Sequence, residues 1–368
     1  MYNILKLNKI SPVIADQFDE KYTCVDACEN PDGILVRSAK MDEYQVGENL
    51  VAIARAGAGV NNIPCEKMAE KGVVVFNTPG ANANAVKELV LCAMLLSSRD
   101  IIGGNKWVNT LSGDDVAKQA EKGKGNFAGT EISGKTIGIV GLGAIGVLVA
   151  RSCLALGLKV LGYDPYMSEK SKAALPKEVV ISSLDEIYAG SDFITLHVPL
   201  LDSTKNMIGK DAFSKMKKGV IVLNMARGGL VDVNALKEAI AGGIVRKYVV
   251  DFPEEAVLNC DNIIVFPHLG ASTEEAEDNC AVMASRQLVE YIENGNIINS
   301  VNYPNLTKER TGKVRTCILF DADAIDKINA VIGDKAVAVR GKYGYAIVDK
   351  DVAVTFERDC GIRKIRVL

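Results

Sequence analysis

The 368-residue sequence is poor in histidine and tryptophan, with two of the first and one of the second, and aromatic residues make up 6% of it. Histidine-based proton transfer therefore narrows to His197 and His268. Long apolar runs are missing. The stretch Leu89 to Leu96 falls well short of the roughly 18 residues that a membrane span needs. The N-terminal MYNILKLNKI lacks the apolar core of a secretory signal. No charge excess exists either: 43 Lys and Arg face 46 Asp and Glu, a formal charge of -3. That balance gives no electrostatic footprint for nucleic acid or an anionic membrane. The nine cysteines show no C-x-x-C spacing and several, such as Cys92, Cys153 and Cys280, sit in apolar segments. They read as small buried hydrophobes, not as a disulfide frame or zinc site, so no metal and a soluble cytoplasmic protein are expected.

What is present is a large apolar fraction, 48%, in a chain long enough for two or three domains. Short apolar runs at 34–37, 50–54 and 73–76 read as buried parallel strands, and KELVLCAMLLS (87–97) as a helix buried on most sides. A Gly-, Lys- and Asn-rich stretch from Gly103 to Gly134 reads as surface helix and linker. From Thr136 to about Pro267 a strand–helix rhythm resumes, with strands near 136–140, 158–163, 192–197, 219–223, 247–250 and 262–266. This alternation predicts an α/β fold of doubly wound parallel sheets. A long helix is expected from Glu274 to Asn294, broken by Asn302-Tyr303-Pro304. A small α+β tail follows, with strands at 316–320, 337–348 (a hairpin) and 362–368 and a helix at 323–332.

The segment TIGIVGLGAIG (136–146) carries the strongest local signal. An apolar strand runs into Gly141-x-Gly143-x-x-Gly146, which opens a helix. Gly141 permits a tight turn, Gly143 lets a pyrophosphate approach the backbone, and Gly146 lets helix and strand pack closely. A second strand ends at Asp164, an acid suited to the two ribose hydroxyls and hostile to a 2′-phosphate. NAD is therefore expected rather than NADP. A second glycine turn, Gly57-Ala58-Gly59, lacks this setting and reads as a plain turn.

Hydride transfer from an alcohol to such a cofactor needs a base for the hydroxyl proton and a hydride facing nicotinamide, and an acidic substrate adds a cation for its carboxylate. Arg227, after the strand VLNMA and before two glycines, offers a planar guanidinium that matches a carboxylate bidentately. His197 and His268 each end a strand, where ligands of open α/β sheets bind, so position alone does not choose between them. An acidic cluster, Asp251-Phe-Pro-Glu254-Glu255, follows another strand and could orient a histidine.

Together, GKTIGIVGLGAIG (134–146), LHVPL (196–200), NMARGGLVD (224–232) and FPHLGAST (266–273) resemble the D-isomer-specific 2-hydroxyacid dehydrogenases. The strings ILVRSAK (34–40), ARAGAGVNNI (54–63) and VVFNTPGANANAVKEL (74–89) are similar to the family's phosphoglycerate-oxidising branch. The resemblance covers about residues 1–305. It implies a Rossmann-type NAD-binding domain (101–284) inserted in a discontinuous, flavodoxin-like substrate domain (1–100 and 285–305). It implies catalytic Arg227, Glu255 and His268. Backbone around Ala144, Ile145, Val198, Met225, Ala226, Gly270 and Ala271 would meet NAD, as would Asp164 and Asp251. Arg37 and Ser38 match positions near a substrate phosphate, Arg55 is a second phosphate candidate, and Asn82 lies in a substrate-side loop. The tail (310–368) resembles the end of an ACT domain, which could join subunits by strand pairing, in a homodimer or homotetramer. The implied reaction is NAD-dependent oxidation of 3-phosphoglycerate, the entry to serine synthesis; the alternatives are hydroxypyruvate or glyoxylate reduction, or an NAD(H)-sensing corepressor. Three departures stand out. The acidic loop is one residue short and lacks its last proline, which makes Glu254 a possible substitute for Glu255, and Ala58 replaces a frequent threonine. The tail has a shortened first strand and helix and no evident glycine-containing loop for an amino acid effector, so serine feedback is not expected.

Overall fold

The computed structural model describes residues 1–312, 314–332, 336–356 and 361–368. They form two compact units, Met1–Asn82 with Glu274–Leu368, and Ala83–Thr273. The crossings thus fall earlier than the boundaries at 100 and 285 expected from sequence. Two helices account for the shift. Helix Ala83–Ser98 buries Val86, Val90, Ala93 and Met94 with Ile137, Ile139, Val149 and Phe193 of the second unit. Helix Glu274–Asn294 buries Cys280, Ala284, Leu288, Tyr291 and Ile292 in the first. A helix belongs to the core that takes its apolar stripe, whatever the break in composition around it.

In the first unit, strands β1 (Tyr2–Leu7), β2 (Tyr22–Val25), β3 (Gly33–Val36), β4 (Ala52–Arg55) and β5 (Val74–Phe76) form a parallel sheet in the order β2-β1-β3-β4-β5. Alternate residues feed opposite faces. Ile34, Val36, Ile53 and Val75 enter one core, while Leu35, Ala52, Ala54, Val74 and Phe76 enter the other. Both faces are covered, which is why these strands read as unbroken apolar runs.

The second unit holds β6 (Thr136–Val140), β7 (Lys159–Tyr163), β8 (Val180–Ile181), β9 (Phe193–Leu196), β10 (Val220–Asn224), β11 (Val245–Val250) and β12 (Ile263–Val265). They line up as β12-β11-β10-β9-β6-β7-β8, all parallel. The chain winds outward in one direction from β6 and in the other from β9. The crevice past the carboxyl ends of these two neighbours is where such sheets bind ligands. Between helix Ala83–Ser98 and β6, helices Ile101–Val108 and Val116–Gly123 bury no residue fully; Trp107 rests on Phe127 at 5.1 Å.

The tail folds as an antiparallel sheet, β13 (Val314–Asp321), β14 (Val337–Arg340), β15 (Tyr343–Lys350) and β16 (Ile362–Val367), ordered β14-β15-β13-β16. It lies within the first compact unit. Cys317, Leu319, Tyr345 and Ile347 share one core with Tyr291, Ile292 and Tyr303, while Ile318, Phe320, Ala346 and Val348 cover a smaller core with Ala324 and Ile328. Arg315, 1% exposed, is held by both oxygens of Asp349 (2.7 and 2.9 Å) and donates to Asn294 O at 2.7 Å. Arg366 donates to Tyr291 O and Ile292 O. Cations from the tail thus satisfy the terminal carbonyls of helix Glu274–Asn294.

Candidate active site

At the end of β6 the chain turns through Gly141, whose φ of +99° few side chains tolerate. Gly141 N donates to Tyr163 O at 2.8 Å. A Cβ on Gly146 would stand 2.0 Å from Gly141 O, so only hydrogen fits where helix Ala144–Ala155 meets the turn. A Cβ on Gly143 would meet nothing within 4 Å. That open cradle lies over the helix N-terminus, where no side chain caps the free amides, and Ala144 and Ile145 form the first turn. Space, free N–H groups and the positive end of the helix dipole fit a dinucleotide pyrophosphate. Asp164 accepts from Leu142 N through Oδ2 and from Tyr166 N through Oδ1, both at 2.9 Å. The glycine turn therefore holds the carboxylate in place, and each oxygen keeps a lone pair for a ribose hydroxyl. Val198 packs beside Gly141 from the end of β9.

Arg227 sits on a turn built by Asn224, the last residue of β10 and 1% exposed. Asn224 Oδ1 accepts from Ala226 N and Arg227 N (3.2 and 3.3 Å), and its Nδ2 donates to Arg227 O and Tyr248 Oη (2.8 and 3.2 Å). Burial raises the Tyr248 hydroxyl pKa, so the phenol stays protonated. The exposed guanidinium of Arg227 bonds only its neighbour Ala226 O, at 2.8 Å, and joins no ion pair among the described residues. It is available for an anionic ligand. Sequence reasoning passed over Asn224; the one signal was a polar residue closing the apolar run VIVL. Met225, given a cofactor contact by the resemblance, is 4% exposed and part of the core. The Ala226 amide is already donated to Asn224.

Asp251 is 1% exposed, and its oxygens accept from Leu269 N (2.7 Å) and Gly270 N (2.8 Å). Asp251, for which the resemblance implies a contact with NAD, here has both oxygens engaged by backbone amides. It ties the loop after β12 to the end of β11 and takes up the Gly270 amide. That loop carries His268 at φ +61°, a left-handed conformation that the anchored neighbours sustain. The ring is exposed and lies 4.9 Å from the Phe252 ring. Neither Glu254 nor Glu255 bonds His268 among the described residues, although Glu255 was expected to orient it. In the shortened loop both acids are exposed, with Glu255 opening the short helical turn Glu255–Val257.

His197 resolves differently from His268. Its Nε2 lies 3.0 Å from Thr195 Oγ1, its Nδ1 is buried without a partner, and burial pushes its pKa down to about 4. A histidine so placed is neutral and enclosed at pH 7.

In the first unit Arg37 follows β3 and Arg55 ends β4, both at the carboxyl edge of the sheet. Arg37 Nη2 pairs with Glu277 Oε1 at 2.6 Å. Ser38 N donates to Asn8 Oδ1 at 3.2 Å. Arg55 packs against Gly57, where a Cβ would collide with its guanidinium. Asn82 is the last residue of this unit before the chain crosses. Among the described residues no cluster of His, Cys, Asp and Glu could hold a metal ion, and no helix is long and apolar enough to cross a membrane.

A parallel sheet with a reversal of strand order, an open glycine cradle at that reversal and an acid behind it define a dinucleotide-binding domain. Residues 91–270 match the model of the D-isomer specific 2-hydroxyacid dehydrogenase NAD binding domain. The chain is 36% identical over 309 residues to D-3-phosphoglycerate dehydrogenase of Methanocaldococcus jannaschii, covering 82% of this chain but 57% of that one. It is 39% identical over 300 residues to hydroxypyruvate reductase of Thermotoga maritima, covering 78% of this chain and 92% of that one. The crystal structure of NAD+-bound 3-phosphoglycerate dehydrogenase from Entamoeba histolytica superposes with a TM-score of 0.63 at 26% identity, over 82% of this chain and 98% of that one. The protein belongs to the D-isomer-specific 2-hydroxyacid dehydrogenase family, and its cofactor is NAD.

Proposed function

We propose that the protein oxidises 3-phosphoglycerate to 3-phosphohydroxypyruvate, the opening step of serine synthesis. The observation that carries this reading is an exposed Arg227 guanidinium without an ion-pair partner among the described residues, in the same unit as an exposed His268 and the glycine cradle. NAD, when bound, supplies the hydride acceptor. Arg227 holds the substrate carboxylate bidentately, as lysine could not. His268 accepts the C2 hydroxyl proton as the C2 hydride leaves, so the carbinol becomes a ketone. Arg37 and Ser38 take the 3-phosphate, Arg55 adds charge at the same sheet edge, and Asn82 contacts the substrate. Glu255, or Glu254 in its place, orients the imidazole once substrate fills the site.

Reduction of hydroxypyruvate is the second reading, favoured by the likeness to the Thermotoga maritima hydroxypyruvate reductase along 92% of that protein's length. NADH formation with 3-phosphoglycerate, D-glycerate and D-lactate, and NADH consumption with hydroxypyruvate, separates the two. A strong preference for 3-phosphoglycerate supports the proposal. Equal use of glycerate and phosphoglycerate would remove the phosphate site from it.

A further inference from the structure

The Arg37–Glu277 pair is the least expected feature of the first unit. Helix Glu274–Asn294 places Glu277 in its first turn and Cys280 one turn further along the same side. Cys280 is 4% exposed, its thiol bonds Thr78, and it lies within the fields of Arg55, Arg37 and Glu277. Thr78 in turn accepts from Gly57 N at 2.7 Å. Two arginines from neighbouring strands and one carboxylate from a helix therefore converge over one small buried floor.

As a structural device the pair is weak. Arg37 and Glu277 are 36% and 39% exposed, and solvent-exposed ion pairs add little to stability. Glu274 and Glu275 already supply negative charge at this helix N-terminus. A phosphate arriving at Arg37 must instead contend with a carboxylate bonded to that same guanidinium. The two anions repel at short range, so the carboxylate has to swing away or weaken the phosphate's hold.

From this arrangement we infer that Glu277 is a specificity-determining residue, an internal counter-ion that a substrate phosphate must displace from Arg37. The inference rests on the reading of Arg37 as the phosphate ligand. Glu277 sets how strongly the enzyme prefers a phosphorylated acid over a plain one. Glutamine at this position could keep a hydrogen bond to Arg37 while losing the competing charge.

The test compares the parent protein with Glu277→Gln and Arg37→Ala in two measurements. One is the ratio of kcat/KM for 3-phosphoglycerate to that for D-glycerate. The other is the affinity for inorganic phosphate by titration calorimetry, which needs no turnover. Both sites are on the surface, so both variants should fold. Glu277→Gln should raise the ratio about tenfold, mainly through KM, and tighten phosphate binding by a similar factor, with smaller gains at high salt. Arg37→Ala should weaken phosphate binding. If Arg37→Ala does weaken it but Glu277→Gln leaves the ratio within twofold, or lowers it, the counter-ion role is wrong and the phosphate site stands. If Arg37→Ala changes neither measurement, the phosphate site itself falls, and the role of Glu277 with it.

Discussion

Gly143 and Gly146 belong to one sequence signature, yet the structure gives them opposite sensitivities. A methyl group on Gly146 would lie 2.0 Å from Gly141 O, a backbone atom that cannot rotate away. Alanine normally gains about 1 kcal/mol over glycine inside a helix. Here that gain is outweighed, because helix Ala144–Ala155 must retreat by an ångström or more from the sheet that buries Val147, Val149, Ala150 and Cys153. Overpacking of this kind costs about 1–3 kcal/mol, and lost packing along the helix adds to it. Gly146→Ala should therefore lower Tm by roughly 2–12 °C, taking about 2–4 °C per kcal/mol for a unit of this size. A methyl group on Gly143 meets nothing within 4 Å, and φ of -74° suits any residue. Gly143→Ala should melt within a few degrees of the parent but bind NADH at least about tenfold more weakly, because the methyl fills the space a pyrophosphate needs. Thermal melts and NADH fluorescence titrations on the two variants decide it. Parental NADH affinity in Gly143→Ala would show that the cradle is not where the phosphates lie. A parental Tm in Gly146→Ala would refute the backbone clash.

His268→Asn removes the base while keeping a residue that tolerates φ of +61°; turnover should fall by about 10²–10⁴ with NADH affinity and Tm kept, and undiminished turnover would end the assignment. Asn224→Ala strips partners from Tyr248 Oη and the Arg227 backbone. It should cost about 2–3 kcal/mol in denaturant unfolding and lower kcat/KM for the hydroxy acid more than NADH affinity, and parallel losses in both would argue against a positioning role. His197 is held near pKa 4 against an ordinary 6.5, so the unfolded chain takes up its proton first as pH falls. Stability from this residue is complete above pH 6.5 and is lost toward pH 4, a contribution of at most about 3 kcal/mol. His197→Gln should flatten the stability profile between those values relative to the parent, and an unchanged difference between pH 7 and 4.5 would contradict it.

The nucleotide-binding half was legible because its signals are local. An apolar strand, three glycines at fixed spacing and an acid after the next strand lie within thirty residues, and the structure assembles them as neighbours. Helix Glu274–Asn294 was equally plain from its periodicity. Strands β1 and β2 were not, since Tyr2–Leu7 carries Asn3 and Lys6 and Tyr22–Val25 is only four residues. Strand β8 is two exposed residues, Val180–Ile181, too short to stand out as a strand. The roles of Asn224 and Asp251 depend on which amides the folded loops present to them, a matter of three-dimensional closure with no sequence pattern. The choice between the two histidines was open for the same reason. Both end strands, and only enclosure separates His197 from the exposed ring of His268. The pairing of Arg37 with Glu277, 240 residues apart, lies beyond any local reading.

The shared interior beneath the C-terminal sheet bears on how this protein could be shortened. Trimming the chain after residue 309 would bare Tyr291, Ile292 and Tyr303 to water and leave the last turn of a 21-residue helix without Arg315 and Arg366. Wetting three such side chains alone costs several kcal/mol, a large part of what keeps an ordinary domain folded. The C-terminal sheet thus behaves as a keystone course and not as a detachable ornament, and any effector acting there would be pulling on the foundations of the first unit.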